Sequence, residues 1–544
     1  MRYVVYLRDW YYNAGIIGFL NVLSEGERNI SNVTSKFDIM LHDNHIEFDS
    51  DVLSEFLGKY KKLAFDIFFD IDNYKKRINS LVGRIQQPDS KLTKKILQEV
   101  ALNGKTVNAF IKDIYGKDLN DIFSDNDIVS DIQNVHNKIN EFHSNVDVYK
   151  YLNDHDGAFI KYFLDIEVAK RICSYENIMN YIEDLSSGIK SPKKNEQRCF
   201  ICGDFKKEYD LNNAVTQISG FNKDNANWIW GFQSSKAGLC ALCALMYACA
   251  LHGIVFISRK IGKDYKTFFY ALNRNTDIST LYHSYWIFRE KINQKENQNK
   301  PFYTILQEVT VELINQQTHA VAENINFIEV SENQFGGQGT KAYNVYNYNI
   351  TKELAGFLQS TGIEHIPRGY YNSGDYYSDI TEEILKKTLA QSLNFSDLAR
   401  YFDYFIRSLD GKSKIKAHFS IYKVMKYILK YINQIKGEKK MSQEQQNQIV
   451  SKAFYNGKFL GEKIGQDNKL KGISYQLLND LKISDRNSFL DKYLRLSMAY
   501  GTEVKLGSHN ELIDMDNFMS FGYAFVNGLL SIINANNNQE GQNE

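Results

Sequence analysis

The chain has 544 residues and a mass of 63.1 kDa, a length that predicts about three or four structural units. Its 65 Lys and Arg balance its 65 Asp and Glu, which excludes a polycation that holds nucleic acid by overall charge and leaves only local basic patches. Hydrophobic residues at 43% and aromatic ones at 14% exclude intrinsic disorder, and with only four prolines, at Pro88, Pro192, Pro301 and Pro367, long stretches can run as helix.

Met1 to Leu7 reads as a strand. Arg8 and Asp9 interrupt the apolar N-terminus and no small-x-small cleavage site follows, so it does not read as a secretory signal. Ile16, Phe19, Leu20 and Leu23 recur at i, i+3, i+4 and i+7, the spacing of an amphipathic helix face. Phe37 to Leu41 and Ile46 to Phe48 predict a hairpin with Asp43-Asn44 at its tip, and a helical region is expected from about Val52 to Gln87. Between Asp113 and Asp156 ten acidic residues stand against Lys117, Lys138 and Lys150, a face that suits solvent and repels phosphate.

The polar stretch Ser186 to Gln197, with Pro192, predicts a boundary. Leu239 to Ile257 is apolar enough to imitate a membrane span, yet His252-Gly253 divides it into a helix and a short strand, so no membrane partner is expected. Asn326 to Ile350 predicts a long hairpin around Phe335-Gly336-Gly337-Gln338-Gly339. Beyond about Asp379 the period is helical. The expected fold is therefore α+β, multidomain and predominantly helical: an N-terminal α+β domain (1–195), a mixed α/β region with a four-cysteine module and the glycine-rich hairpin (196–378), and a C-terminal helical bundle (379–544).

The sharpest chemical signal is Cys199-Phe200-Ile201-Cys202-Gly203 with Cys240-Ala241-Leu242-Cys243. Four thiolates at this spacing suit one tetrahedral Zn2+; the glycine permits a knuckle turn and the second pair opens a helix, as in zinc-ribbon or treble-clef modules. Four unligated core cysteines are the alternative. Because four thiolates close the coordination shell, the expected zinc is structural. Paired cysteines of this kind belong to a reducing compartment, so the expected location is the cytoplasm. Cys173 and Cys249 lack partners at ligand spacing and read as core. The 11 histidines are scattered, with no trusted metal spacing among His42, His45, His136 and His143. No H-E-x-x-H, P-loop, G-x-S-x-G or strand-linked G-x-G-x-x-G occurs, so no enzymatic role is expected.

Two features suggest nucleic acid. Residues 412–440 hold nine lysines against Glu438; Lys412 and Lys414 precede Lys416, Lys423, Lys426 and Lys430, which are expected to share one helical face opposite Ile421, Val424, Met425, Ile428, Ile432 and Ile435. An ordinary solvated face is the alternative. In the loop Asn333-Gln334-Phe335-Gly336-Gly337-Gln338-Gly339-Thr340-Lys341, amide side chains could read groove edges while the glycines let backbone approach the duplex, unless it is simply a hairpin tip.

Three landmarks together, Asn13-Ala14-Gly15-Ile16-Ile17-Gly18-Phe19, the separated C-x-x-C pairs and the helical C-terminal third, resemble the CXXC-CXXC family of large subunits of type I-B CRISPR Cascade complexes. The resemblance implies a non-catalytic subunit beside the 5′ end of a crRNA. Such a subunit inspects the PAM in target double-stranded DNA, starts R-loop formation, contacts the other Cascade subunits and recruits the nuclease-helicase. In related large subunits a glycine-containing loop and an amide wedge act at the PAM, which directs attention to Gln334 to Lys341. It also implies that a small subunit is translated from inside the reading frame, which makes the region from 441 small-subunit-like. Gly437-Glu438-Lys439-Lys440 can be encoded as a purine-rich ribosome-binding site ahead of Met441, and Ser442 with Gln445 forms a capping box that would open the next helix. From another class, a stand-alone zinc-containing nuclease or toxin, or a zinc-stabilised protein scaffold, competes with this reading.

Overall fold

The computed structural model describes residues 1–85, 94–100, 102, 104–124, 128–155, 158–163, 175–210, 237–261, 264–274, 277–294, 308–309, 311–312, 326–334, 341–362, 365–374, 376–410, 413–436, 442–504 and 515–540. Helices dominate, with small sheets between them. The chain divides into two compact units, Met1–Trp286 with Asn326–Asn347, and Ile287–Ile325 with Tyr348–Glu544. Among the described residues no helix is long and apolar enough to cross a membrane.

In the first unit β1 (Arg2–Tyr6) leads into α1 (Trp10–Ser24), then α2 (Ile30–Lys36), β2 (Met40–Leu41) and β3 (His45–Asp49). The three strands form an antiparallel sheet in the order β1-β3-β2, with Val4 opposite Glu47 and Met40 opposite Glu47 on the other side. The expected hairpin is thus present but shorter: Phe37 caps α2 rather than opening a strand. Asp9 starts α1 by accepting the amides of Tyr11 and Tyr12, each at 3.0 Å, and Glu25 at φ 53° ends it. The expected one-sided face of α1 is not found. Every residue from Tyr11 to Leu23 is buried, because neighbours cover the helix on several sides, and such a helix belongs inside a core.

Helices α3 (Phe56–Phe68), α4 (Ile71–Ile85), α5 (Lys94–Glu99), α6 (Lys105–Tyr115), α7 (Leu119–Ser124), α8 (Ile128–Asn140), α9 (Asn145–Asp154), α10 (Ala158–Phe163) and α11 (Tyr175–Ser187) follow. Phe65, Phe69, Phe110, Phe159 and Phe163 form their aromatic centre, with ring centroids 4.4 to 6.2 Å apart where they meet. After β4 (Tyr209–Asp210) and β5 (Gly238–Leu239) comes α12 (Ala241–Gly253), also buried throughout. As expected, strand follows it directly: β6 (Val255–Ile261) pairs with β7 (Asp264–Asn273). Beyond α13 (Ile278–Asn293), β8 (Asn326–Gln334) and β9 (Lys341–Asn349) complete a sheet in the order β6-β7-β8-β9.

α1 and α12 cross with their backbones in contact. A Cβ on Gly15 would lie 2.1 Å from the Met246 carbonyl oxygen, one on Gly18 1.8 Å from that of Cys249, and one on Gly253 1.9 Å from that of Ala14. Only glycine permits this approach. Polar groups lock the crossing: Asn21 donates to the His252 carbonyl at 2.9 Å and Tyr247 to Asp9 at 2.9 Å. The boundary expected near 195 therefore does not separate two units, since the described residues on both sides of it belong to the unit Met1–Trp286.

The second unit contains α14 (Lys352–Ser360), β10 (Gly369–Ser373), β11 (Tyr376–Asp379), α15 (Ile380–Leu389), α16 (Phe395–Ser408), β12 (Ile415–Phe419), α17 (Ile421–Tyr431), α18 (Gln443–Ile464), α19 (Asp467–Lys482), α20 (Arg486–Ala499) and α21 (Met515–Glu540). β10 pairs antiparallel with both β11 and β12, which places the expected boundary near 378 inside this unit as well. Ile415-Lys416-Ala417-His418-Phe419 alternates as a strand, so the C-terminal third is not helical throughout. α18 packs along α21 and α19 against both α16 and α21. Capping boxes open α16 at Asn394 and α18 at Ser442, the latter with Gln445 as expected.

Candidate metal centre

Cys199, Cys202, Cys240 and Cys243 come together, their sulfurs all within 4.8 Å of one another and those of Cys202 and Cys240 3.8 Å apart. A tetrahedron with zinc–sulfur arms of about 2.3 Å has edges of about 3.8 Å, so the spacing fits one zinc. The knuckle is held by backbone: Cys199 N–H donates to Phe205 O at 2.8 Å, Gly203 N–H to Cys199 O at 3.0 Å, and Gly203 turns at φ +75°. Phe200 N–H reaches Gly238 O at 2.9 Å and Tyr209 pairs with Leu239, joining the knuckle to β5. Cys240 then caps α12 and Cys243 lies in its first turn, where the helix N-terminus favours thiolate charge.

Three of the cysteines are buried and Cys202 is half-buried. Hydrogen bonds from Cys202, Cys240 and Cys243 hold the Cys199 thiol far below the ordinary range. Cys202 is opposed by Cys199 but drawn down by Cys240 and Cys243, to about 7. Cys240 and Cys243 are pushed far up, foremost by Cys199 and Cys202. Four thiolates cannot share this space without a cation; one divalent ion resolves the conflict and, with four sulfur ligands, leaves no open position for catalysis. The Tyr12 hydroxyl lies 3.6 Å from the Cys243 sulfur, its own pKa pushed well up by burial and then by Cys243. Thus α1 touches the site through Tyr12. Cys249, on the same helix as Cys243, is buried, and Cys173 lies outside the described residues.

A second cluster escaped the spacing rules: His42, His45 and Glu47, on and beside the β2–β3 hairpin. Both Nε2 atoms approach Glu47 Oε1, at 3.6 and 3.5 Å, while Arg2 holds Oε2 at 3.0 Å. The two rings stack at 4.1 Å and 10°. Near-parallel imidazoles cannot both aim a ring lone pair at one ion, so this cluster reads as a polar surface group around the Arg2–Glu47 ion pair.

The basic residues are gathered only in part. Lys416 is exposed on β12 rather than on the lysine helix, a correction that follows from the alternating pattern of its strand; Lys414 precedes that strand, and Lys412 lies outside the described residues. Lys423, Lys426 and Lys430 do share one side of α17, opposite buried Ile421, Val424, Met425, Ile428 and Ile432. Together with Tyr422, Tyr427 and His365 they line a cavity of about 340 Å3. Tyr422 could have been noticed beside Lys423; nothing in the sequence announces His365. Asn333 and Gln334 end β8 and Lys341 begins β9, whereas Gly336, Gly337, Gln338 and Gly339, like Met441, lie outside the described residues. No protein-family model, no curated protein and no solved structure matches this chain.

Proposed function

We propose that the chain is the non-catalytic large subunit of a type I-B CRISPR Cascade surveillance complex, acting in antiviral defence in the cytoplasm. The observation that carries the reading is the α1–α12 crossing. The two sharpest landmarks of the resemblance, Asn13 to Phe19 and the second C-x-x-C pair, are halves of one object: Gly15 and Gly18 receive the backbone of the helix that Cys240 opens, and Tyr12 touches Cys243. A structural zinc in a treble-clef or ribbon-like module would pin this junction.

In this reading guide pairing carries the sequence specificity, so the protein needs only a short duplex reader and a sequence-tolerant hold on single strand. The reader would be the loop from Asn333 through Gln334 to Lys341, and the lysines of α17 would meet phosphates. crRNA, target DNA, the remaining Cascade subunits and the nuclease-helicase are the partners, with a small subunit begun at Met441. The test is reconstitution with crRNA and the neighbouring gene products. Gln334→Ala with Gln338→Ala should weaken binding to PAM-bearing duplex while sparing single-stranded target paired to the guide. Equal loss on both substrates removes the loop as reader, and failure of the chain to join any crRNA-containing complex removes the reading.

A further inference from the structure

The cavity on α17 brings cations and aromatic surface together. Three ammonium groups line it and, among the described residues, no carboxylate does. None of the three lysines has an ion-pair partner among the described residues, and Lys426 and Lys430, four apart on the helix, repel each other. Lys430 is fixed rather than trailing: its Nζ donates to the Ser360 carbonyl at 2.8 Å and lies 5.8 Å from the centre of the Phe357 ring. Burial, then Lys426, lowers its pKa, the mark of a positive charge that gains from an entering negative one. A volume of about 340 Å3 exceeds what a phosphate alone fills, and the rest of the lining includes the aromatic bodies of Tyr422 and Tyr427.

The aromatic surface also continues outward. The Tyr422 ring, 41% exposed, lies 5.6 Å from Phe454 of α18, which lies 5.7 Å from Tyr455, 66% exposed. Phe459, 50% exposed, stands one turn further along. Lys452, Lys458 and Lys463 share the exposed side of α18 with these rings, and Lys463 lies 5.7 Å from the centre of Phe459. Glu462 is the one acid on that side between 451 and 463. Exposed rings interleaved with lysines are what a single strand needs: each base has a face to stack, and each phosphate a cation nearby.

We propose that the cavity takes one nucleotide of a single-stranded nucleic acid, its phosphate among Lys423, Lys426 and Lys430 and its base against Tyr422, and that the strand leaves along Tyr455 and Phe459. The proposal rests on the nucleic-acid-binding part of the function proposed above, and on neither the guide complex nor the PAM loop.

The experiment uses the full-length chain alone, with a fluorescent 15-nucleotide oligo-dT, a 15-base-pair duplex, AMP and inorganic phosphate as probes. Oligo-dT should bind more tightly than duplex. Lys423→Ala with Lys426→Ala should flatten the salt dependence by about 0.7 slope units for each phosphate that is no longer neutralised. Tyr422→Ala and Tyr455→Ala should each weaken oligo-dT about 5- to 150-fold, the range spanned by stacking one base, with the salt slope unchanged, while Tyr422→Phe should retain binding. Circular dichroism checks that these surface variants stay folded. Tyr422→Ala binding oligo-dT as the parent does would overturn the proposal. AMP or phosphate binding as tightly as oligo-dT, with no loss on Tyr455→Ala, would overturn the strand in favour of a free nucleotide or phosphate pocket. A chain that binds oligo-dT in this way yet joins no crRNA complex keeps the proposal and loses the Cascade reading; one that joins the complex with Tyr422→Ala inert does the reverse.

Discussion

Gly18→Ala tests the closeness of the α1–α12 crossing. The added methyl would sit 1.8 Å from the Cys249 carbonyl oxygen, 2.7 Å from its carbon and 3.0 Å from the Gly253 nitrogen. Carbon and oxygen without a bond approach to about 3.3 Å, so the helices must separate by roughly 1.5 Å, and gaps of even half that size forfeit a sizeable part of the dispersion attraction. Since the obstruction is backbone on both sides, the cost belongs at the upper end of overpacking, about 3 kcal/mol. Alanine returns about 1 kcal/mol of helix propensity. The net loss is about 2 kcal/mol, or roughly 0.7 M in urea midpoint for an m-value near 3 kcal/mol per molar. Gly58→Ala is the control: a Cβ there meets nothing within 4 Å, and the same propensity gain should stabilise by up to about 1 kcal/mol. Of the four tryptophans, at 10, 228, 230 and 286, the two among the described residues, Trp10 and Trp286, belong to this unit, so tryptophan fluorescence reports on it. Gly18→Ala unfolding at the same urea concentration as the parent, or a higher one, would refute the reasoning.

Metal analysis in reducing, chelator-free buffer should find about one zinc per chain, and Cys199→Ser or Cys240→Ser should lose it and lower the urea midpoint of the first unit; a zinc-free parent contradicts this. Asp113 accepts the Phe159 amide at 2.6 Å, yet burial pushes its carboxyl above the ordinary value. The folded state then binds this proton more tightly than the unfolded one, so the group's contribution to stability falls as pH rises through the window just above the ordinary carboxylate pKa of about 3.9. Asp113→Asn should flatten the urea midpoint in that window, and an unchanged parent-minus-variant difference between about pH 3.5 and 6 counts against it. A C-terminally tagged gene should yield a second band of 104 residues, from Met441 to Glu544, that vanishes on Met441→Leu combined with synonymous recoding of Gly437 and Glu438; its persistence excludes that start.

The cysteine set was legible because ligand spacing is a local code: the knuckle glycine and the helix start sit next to the ligands they position. The burial of α1 was not. Counting Ile16, Phe19, Leu20 and Leu23 marks one face, and Asn21 falls on the other side of the helix; it is buried all the same, donating to His252 O at 2.9 Å, and Asn13 is buried against Asn273 at 2.8 Å. Partners so distant in sequence leave no trace in a local period. Lys416 was misplaced for a related reason. A run of lysines fits a helical wheel, but the two-residue alternation of Ile415 to Phe419 is satisfied by pairing with Gly369–Ser373, and long-range pairing overrides the weaker local preference. The cavity beside α17 needed three separate segments to converge, and among its walls only the lysines, with Tyr422 beside them, carried a signal.

The α1–α12 crossing also sets a schedule for synthesis. Tyr12 and Cys243 are 231 residues apart, and at ribosomal rates of about 5 to 20 residues per second the partner of α1 emerges roughly 10 to 50 s after it. Throughout that interval Phe19 can already meet Phe48 and Phe56, but the side of α1 that Gly15 and Gly18 present to α12 stays uncovered. Slower elongation between α1 and α12 would lengthen the exposure of that one side, since transiently exposed apolar surface is what makes partly folded chains aggregate.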